Sequence, residues 1–240
     1  MGRISDILKT NMKLDIEEMK AKMNETEKQY WEEVKKDVKK LPDSYPIENV
    51  KKAFSFWSKS SLVNGEFIVD KHNSNIIKLL NIYFAQDGNL MKSIYPQYSI
   101  NKGLLITGKC GTGKTLILKI YQKIVQNLPL QAFQIVSSNK VVGDYDESGS
   151  QAIKMYIERK MMFDDFGSEN KGKHYGKDEE VFKTILEERY NVFIDKGLKT
   201  YLTSNLSLSQ IGQRYGDRVN SRIHEMFNII VLDGNDRRIK

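Results

Sequence analysis

Apolar side chains are distributed along the chain in two rhythms. Short apolar-rich runs at 104–107, 131–137, 161–163, 200–205 and 229–232 mark strands, those at 161–163 and 200–205 read as buried. Between them lie segments of helical period: 116–121, a helix around 150–159 after a polar, Gly-containing loop, and 181–194. Strands alternating with helices predict an α/β fold on a mainly parallel sheet, with ligands at the C-terminal ends of the strands. Upstream, 47–95 reads as mostly helical, and Ile76, Ile77, Leu79, Leu80, Ile82, Tyr83 and Phe84 lie apolar on nearly every side, the pattern of a buried helix. That region either covers a nucleobase or fills the core.

Residues 1–40 read differently. Ile16, Met19, Met23, Trp31, Val34 and Val38 recur near helical spacing among Glu and Lys, a narrow stripe on a charged helix that Pro42 and Pro46 bring to an end. The chain therefore divides into a helical region with its linker at 1–46 and a main domain at 47–240. The stripe suits docking to a partner. It equally suits packing on its own domain.

The strand at 104–107 runs into Gly108-Lys109-Cys110-Gly111-Thr112-Gly113-Lys114-Thr115, a full match to GxxxxGK[ST], and Leu116 continues into a helix. Glycines let backbone N–H groups curl around a phosphate, and the helix N-terminus aims its positive end at the same anion. Lys114 reaches β- and γ-phosphates and the Thr115 hydroxyl suits Mg²⁺. Asp164 and Asp165 close the next buried strand. Asp164 would hold the metal's water shell and Asp165 would polarise the attacking water, with Glu169 a weaker candidate for that task. Thr203-Ser204-Asn205 follows a third strand and places a hydroxyl or amide near both motifs. Arg218 and Arg222, four apart, share one helix face; arginine suits the spread charge of a transferring phosphoryl group and is often supplied in trans, which implies a homo-oligomer. Asp236-Arg237-Arg238 offers a further cation for the subunit's own nucleotide.

Composition narrows the class. The single cysteine, Cys110, excludes an internal disulfide and fits a reducing compartment. Beside a helix N-terminus it is either a reactive thiol or a small residue tolerated in the loop. His72, His174 and His224 lack metal-ligand spacing, so no zinc site is expected. No run approaches ~18 apolar residues, so we expect no membrane span and a cytoplasmic location. A net charge of +7 permits a nucleic-acid partner and fits a lysine-rich solvated surface equally well.

GKCGTGKT at 108–115, MMFDDFG at 161–167, YLTSNLS at 201–207, GDRVNSRI at 216–223 and LDGNDRR at 232–238 form an ordered set. The set resembles the AAA+ ATPases of the DnaC/DnaI helicase-loader and IstB transposition-helper group. The resemblance covers 100–240 well and 47–100 loosely. It implies a P-loop AAA+ (ASCE) parallel sheet flanked by helices, with ATP and Mg²⁺ as cofactors. By position it makes Lys114 and Thr115 nucleotide and metal ligands, Asp164 and Asp165 the Walker B pair, and Asn205 or Ser204 sensor 1. Arg222 becomes the arginine finger with Arg218 beside it, and Arg237 or Arg238 resembles sensor 2. It also implies assembly on single-stranded DNA and, in loaders, an N-terminal grip on the replicative helicase. Two departures stand out. The N-terminal region lacks a cysteine cluster, and the chain ends soon after Arg238, which leaves no expected place for an added duplex-DNA-binding domain. The polar loop 168–177, with three lysines and Tyr175, either touches DNA or is a solvated insertion.

Overall fold

The structure, a computed structural model, describes residues 44–60, 67–126, 131–174 and 177–238. The charged helix expected over 1–40 lies outside the described residues. The compact unit from Pro46 onward opens with three helices, α1 (Ile47–Ser60), α2 (Ser74–Ala85) and α3 (Gly88–Ile94). Strand β1 (Gly103–Thr107) follows, then α4 (Lys114–Val125), β2 (Gln134–Ser137), α5 (Ser138–Ser148), α6 (Ser150–Lys154) and β3 (Met161–Asp164). A hairpin of β4 (Gly172–His174) and β5 (Lys177–Glu179) precedes α7 (Val181–Lys196) and β6 (Thr200–Ser204). The described chain closes with α8 (Leu208–Tyr215), α9 (Asp217–Met226) and β7 (Phe227–Val231).

The five main strands are parallel and ordered β2-β3-β6-β1-β7. All five residues of β1 and of β6 are buried, the apolar run of β1 and, in β6, the polar Thr200, Thr203 and Ser204 as well. Late in sequence, β6 enters between β1 and β3, pairing Leu105 with Leu202 on one side and Phe163 with Leu202 on the other. Gly103 permits that approach, because a Cβ there would stand 2.0 Å from the Thr200 carbonyl oxygen. Helix α2 is the buried helix expected, and its aromatic residues join the core: Phe84 stacks on Tyr121 at 4.6 Å, and the Tyr121 hydroxyl donates to Asn81 Oδ1 at 2.9 Å.

Two segments differ from expectation. The polar stretch after β2 is not a loop but helix α5, and the helix expected at 150–159 is shortened to α6. Ser137 caps α5 by accepting from the Lys140 N–H, and Val141, Val142 and Tyr145 bury into the core. That burial outweighs the weak propensities of Ser, Asn, Asp and Gly143. The stretch 168–177 contains β4 and the start of β5, and Asp146 and Glu179 tie this strand pair to α5 through the Lys173 N–H and the Tyr145 hydroxyl.

At the opposite end of the sheet, Arg189 is 1 % exposed and donates to carbonyls of Ile157, Arg159 and Lys199 and to Thr200 Oγ1. It thereby sets the entry of both β3 and β6. Beside it Lys199 donates to Gln86 Oε1 at 3.1 Å and lies over the Tyr83 ring. Burial pushes its amine down to about 7, with Lys160 adding repulsion, and burial brings Lys160 to about 8. The unfolded chain binds a proton at each of these lysines up to about pH 10, whereas the folded chain has shed them, so stability rises with pH across that window. We expect stability to climb from pH 7 towards pH 10, approaching ~1.4 kcal/mol per pH unit for each lysine. Lys199→Met should flatten the climb; urea titrations at stepped pH on both proteins check this, and an unchanged slope contradicts it.

Candidate functional site

The site forms where β1, β3 and β6 end side by side. The phosphate loop leaves β1 after Thr107 and is pinned to both flanking segments: Gly108 N–H donates to Ser204 O at 3.2 Å, and Leu232 N–H to Thr107 O at 2.8 Å. Gly108 has φ +148°, and a Cβ there would meet the Leu232 carbonyl oxygen at 2.1 Å, so the residue type is forced by backbone shape and crowding together. Helix α4 begins at Lys114 with Gly113 as its cap, so the first-turn N–H groups face the loop.

Lys114 is 5 % exposed and its ammonium points inward. It donates to Gly108 O at 2.8 Å, Lys109 O at 2.7 Å and Asn205 Oδ1 at 2.7 Å. Burial lowers its pKa, and the carboxylates of Asp165 and Asp164 oppose that shift. Thr115 donates its hydroxyl to Asp164 Oδ1 at 2.6 Å. Thr203 donates to the same oxygen at 2.6 Å while accepting from the Asp165 N–H at 3.0 Å. One threonine hydroxyl therefore aims Asp164 and holds the backbone of Asp165. Asp165 has φ 55°, a left-handed conformation unusual for a residue with a side chain, and its carboxylate is exposed.

A carboxylate and a hydroxyl in contact at the foot of a phosphate loop fit Mg²⁺, a hard cation that takes few protein oxygens and completes its shell with phosphate and water. Of the two candidates after β6, Asn205 reaches Lys114. Ser204 is fully buried and donates to Phe166 O at 2.6 Å, a bond that shapes the turn after β3. Thr112 closes the loop on itself through Lys109 O, Cys110 is exposed, and Leu116 is half-buried in the first turn of α4.

The arginines separate in space. Arg222 lies on α9 with its guanidinium 4.7 Å above the Tyr190 ring and 3.8 Å from Glu187 Oε1, and the exposed Arg218 reaches the same carboxylate at 3.9 Å. Both thus belong to one face backed by α7. Arg237 is at the phosphate loop itself, donating its N–H to Gly111 O at 3.0 Å and its Nε to Thr112 O at 3.2 Å. Arg238 Nη1 lies 3.9 Å from Cys110 Sγ.

Sequence reasoning missed a lock behind Asp165. Glu169, weighed as a water activator, is 4 % exposed and its carboxylate is taken up by the Gly167 N–H, the Tyr215 hydroxyl and Arg214. Arg214 also donates to Gly167 O and Glu169 O, both at 2.6 Å. Burial and the neighbouring Glu169 charge push the Tyr215 phenol far up. Nothing in local spacing signals this lock, since its parts are 45 and 46 residues apart.

No family model and no curated protein matches this chain. Solved structures share its fold. The DnaC helicase loader is 17% identical, with 75% of this chain and 99% of that chain covered and a TM-score of 0.50. DnaI is 20% identical, with 80% and 94% covered and a TM-score of 0.50. The replication initiator DnaA bound to AMPPCP and single-stranded DNA is 14% identical, with 75% of this chain and 50% of that chain covered and a TM-score of 0.51. The fold is therefore the P-loop AAA+ fold of helices around a parallel sheet. The resemblance to the DnaC and DnaI loaders seen in the motifs extends to the three-dimensional fold.

The lock behind Asp165 makes a stability prediction. Arg214→Ala leaves the Glu169 carboxylate buried without its cation, so we expect a loss of about 3 kcal/mol in urea unfolding. Retention of wild-type stability would show that the pair contributes little.

Proposed function

We propose that this protein is a Mg²⁺-dependent ATPase that loads a replicative helicase onto single-stranded DNA, hydrolysing ATP where its subunits meet. The observation that carries the ATPase reading is the convergence of three strand ends: Lys114 to Asn205 at 2.7 Å, and Thr115 and Thr203 to Asp164 at 2.6 Å each. Bound ATP with Mg²⁺ supplies the scissile phosphoryl group and the charge that makes it an electrophile. The protein's part is binding, orientation and proton handling. Lys114 exchanges loop carbonyls for phosphate oxygens. Asp164 and Thr115 present oxygens to the metal. Asp165, exposed at the rim, accepts a proton from the attacking water, and Asn205 orients that water from beside Lys114.

Arg222, with Arg218 beside it, completes the site of the next subunit, so activity requires a homo-oligomer. The resemblance would assign Arg237, at the phosphate loop, to the side of the subunit's own nucleotide. Residues 1–46 would grip the helicase, and residues from 47 on would carry the ATPase. The fold shared with the DnaC helicase loader and with a DnaA that holds AMPPCP and single-stranded DNA supports this assignment. Among the described residues, no helix is long and apolar enough to cross a membrane.

Lys114→Ala is expected to fold by circular dichroism and to lose measurable ATP binding; wild-type affinity would overturn the loop assignment. Asn205→Ala and Arg222→Ala should still bind ATP while turnover falls about 10²-fold and about 10³-fold respectively. Normal turnover by Arg222→Ala would remove the trans arginine. For the loader role, the replicative helicase encoded in the same genome should co-purify with the full chain and not with a chain lacking residues 1–46. If no complex forms with ATP, with ADP or without nucleotide, the loader reading fails and the transposition-helper alternative takes its place.

A further inference from the structure

The C-terminal tail reaches across the phosphate loop and is fastened on its far side. Asp236 lies so close to Gly111 that a Cβ on that glycine would stand 1.9 Å from Asp236 Oδ1. From there Arg237 spends all three guanidinium nitrogens inside its own subunit. Nε donates to Thr112 O at 3.2 Å, Nη1 to Ile68 O at 3.3 Å, and Nη2 to Asp70 Oδ2 at 2.8 Å.

Asp70 is a fixed anchor. Its other oxygen accepts from the N–H groups of His72 at 2.9 Å and Asn73 at 3.3 Å. Asn73, with 0% exposure, returns the grip by accepting from the Asp70 N–H at 2.9 Å and donating to Ile68 O at 2.9 Å. This double turn feeds directly into α2, which is buried in the core. Phe67, just ahead of it, is within reach of Gly113: a Cβ there would stand 3.7 Å from its ring. The Asp70–Arg237 ion pair thus joins two segments 167 residues apart over the carbonyls of Gly111 and Thr112.

We infer that Asp70 and Arg237 form a clasp that holds the phosphate loop in its binding shape, so that Arg237 serves any nucleotide the loop takes and does not read the γ-phosphate. This rests on the nucleotide-binding reading above and departs from the role that the resemblance implies for Arg237. The two roles differ in what they cost to remove. A γ-phosphate sensor discriminates ATP from ADP, whereas a positioning residue weakens both alike. Turning Arg237 toward a phosphate would break a charge-assisted bond to Asp70 and strip the Thr112 carbonyl of its donor.

Asp70→Asn is the decisive variant. An asparagine keeps an oxygen for His72 and Asn73 and places an N–H donor against the Arg237 donor. ATP and ADP affinities would be measured by calorimetry in Mg²⁺ buffer, with amide hydrogen exchange across 108–113, for wild type, Asp70→Asn and Arg237→Ala. We expect Asp70→Asn to weaken ATP and ADP by the same factor, about fivefold, and Arg237→Ala to weaken both by about tenfold. Exchange across 108–113 should quicken in both variants. Loss of ATP with ADP unchanged in Arg237→Ala would overturn the inference in favour of a γ-phosphate sensor. An Asp70→Asn protein with wild-type affinities and wild-type exchange would overturn it as well. Should wild type bind neither nucleotide, the ATPase reading fails by itself. In that case faster exchange in Asp70→Asn upholds the clasp and unchanged exchange refutes it.

Discussion

The insertion of β6 between β1 and β3 is the constraint on which the site depends. A strand from late in the chain must fit between β3, paired on its far side with β2, and β1, paired on its far side with β7, and every one of its five residues is buried there. Its register then decides the chemistry. Leu202 pairs across both neighbours, so Thr203 arrives level with Ile106 and one step past the last pair with β3. At that height its hydroxyl reaches Asp164 and the Asp165 N–H together, and Asn205 emerges beside Lys114. A slip of one residue would turn Thr203 away and bring Leu202 or Ser204 in its place. Gly103 at the start of β1 and Arg189 behind the starts of β3 and β6 keep that register from slipping.

Holding polar groups this tightly in a dry sheet is costly unless each finds partners, and the partners here are mostly backbone. Arg189 is satisfied chiefly by carbonyls, so among the described residues it organises strand entries without a carboxylate partner. Glu169 and Arg214 use the opposite solution, a buried carboxylate shared among a cation, a phenol and a backbone N–H. The first arrangement fixes the strands where they begin. The second fixes the turn where Asp165 is strained, and strain of that kind persists only where the surroundings over-determine it.

Much of this was legible in the chain because the informative signals are local. Strand runs, the phosphate loop and the acids closing β3 each lie within a few residues, and the sheet, Lys114, Thr115, Asp164 and Asn205 fall where such patterns put them. Helix α5 was not legible, since Ser, Asn, Gly and Asp argue for a loop and only the tertiary burial of Val141, Val142 and Tyr145 overrides them. Nor were the connections that hold the site in place. Asp70 meets Arg237 across 167 residues, and Tyr215 meets Glu169 across 46. Ser204 and Asn205 are adjacent and equally polar in sequence; only the pleat, which sends one to Phe166 and frees the other toward Lys114, separates their roles.

Arginine illustrates how environment, not residue type, assigns the work. Arg214 and Arg237 direct their guanidinium groups to carbonyls and carboxylates of their own chain, so each stabilises a loop and has little left for another molecule. Arg222 is different. It rests on a ring face and near one carboxylate at 3.8 Å, while its buried Nη1 has no hydrogen-bond acceptor among the described residues. A guanidinium carries five donors, and leaving one buried and unpaired is unfavourable. Only 14% of the Arg222 side chain is exposed, against 71% for Arg218, so α9 turns Arg218 outward above a guanidinium that Tyr190 and Glu187 hold against α7. The same residue type thus fastens two loops, packs one helix against another and leaves one cation facing solvent, and only the surroundings tell these uses apart.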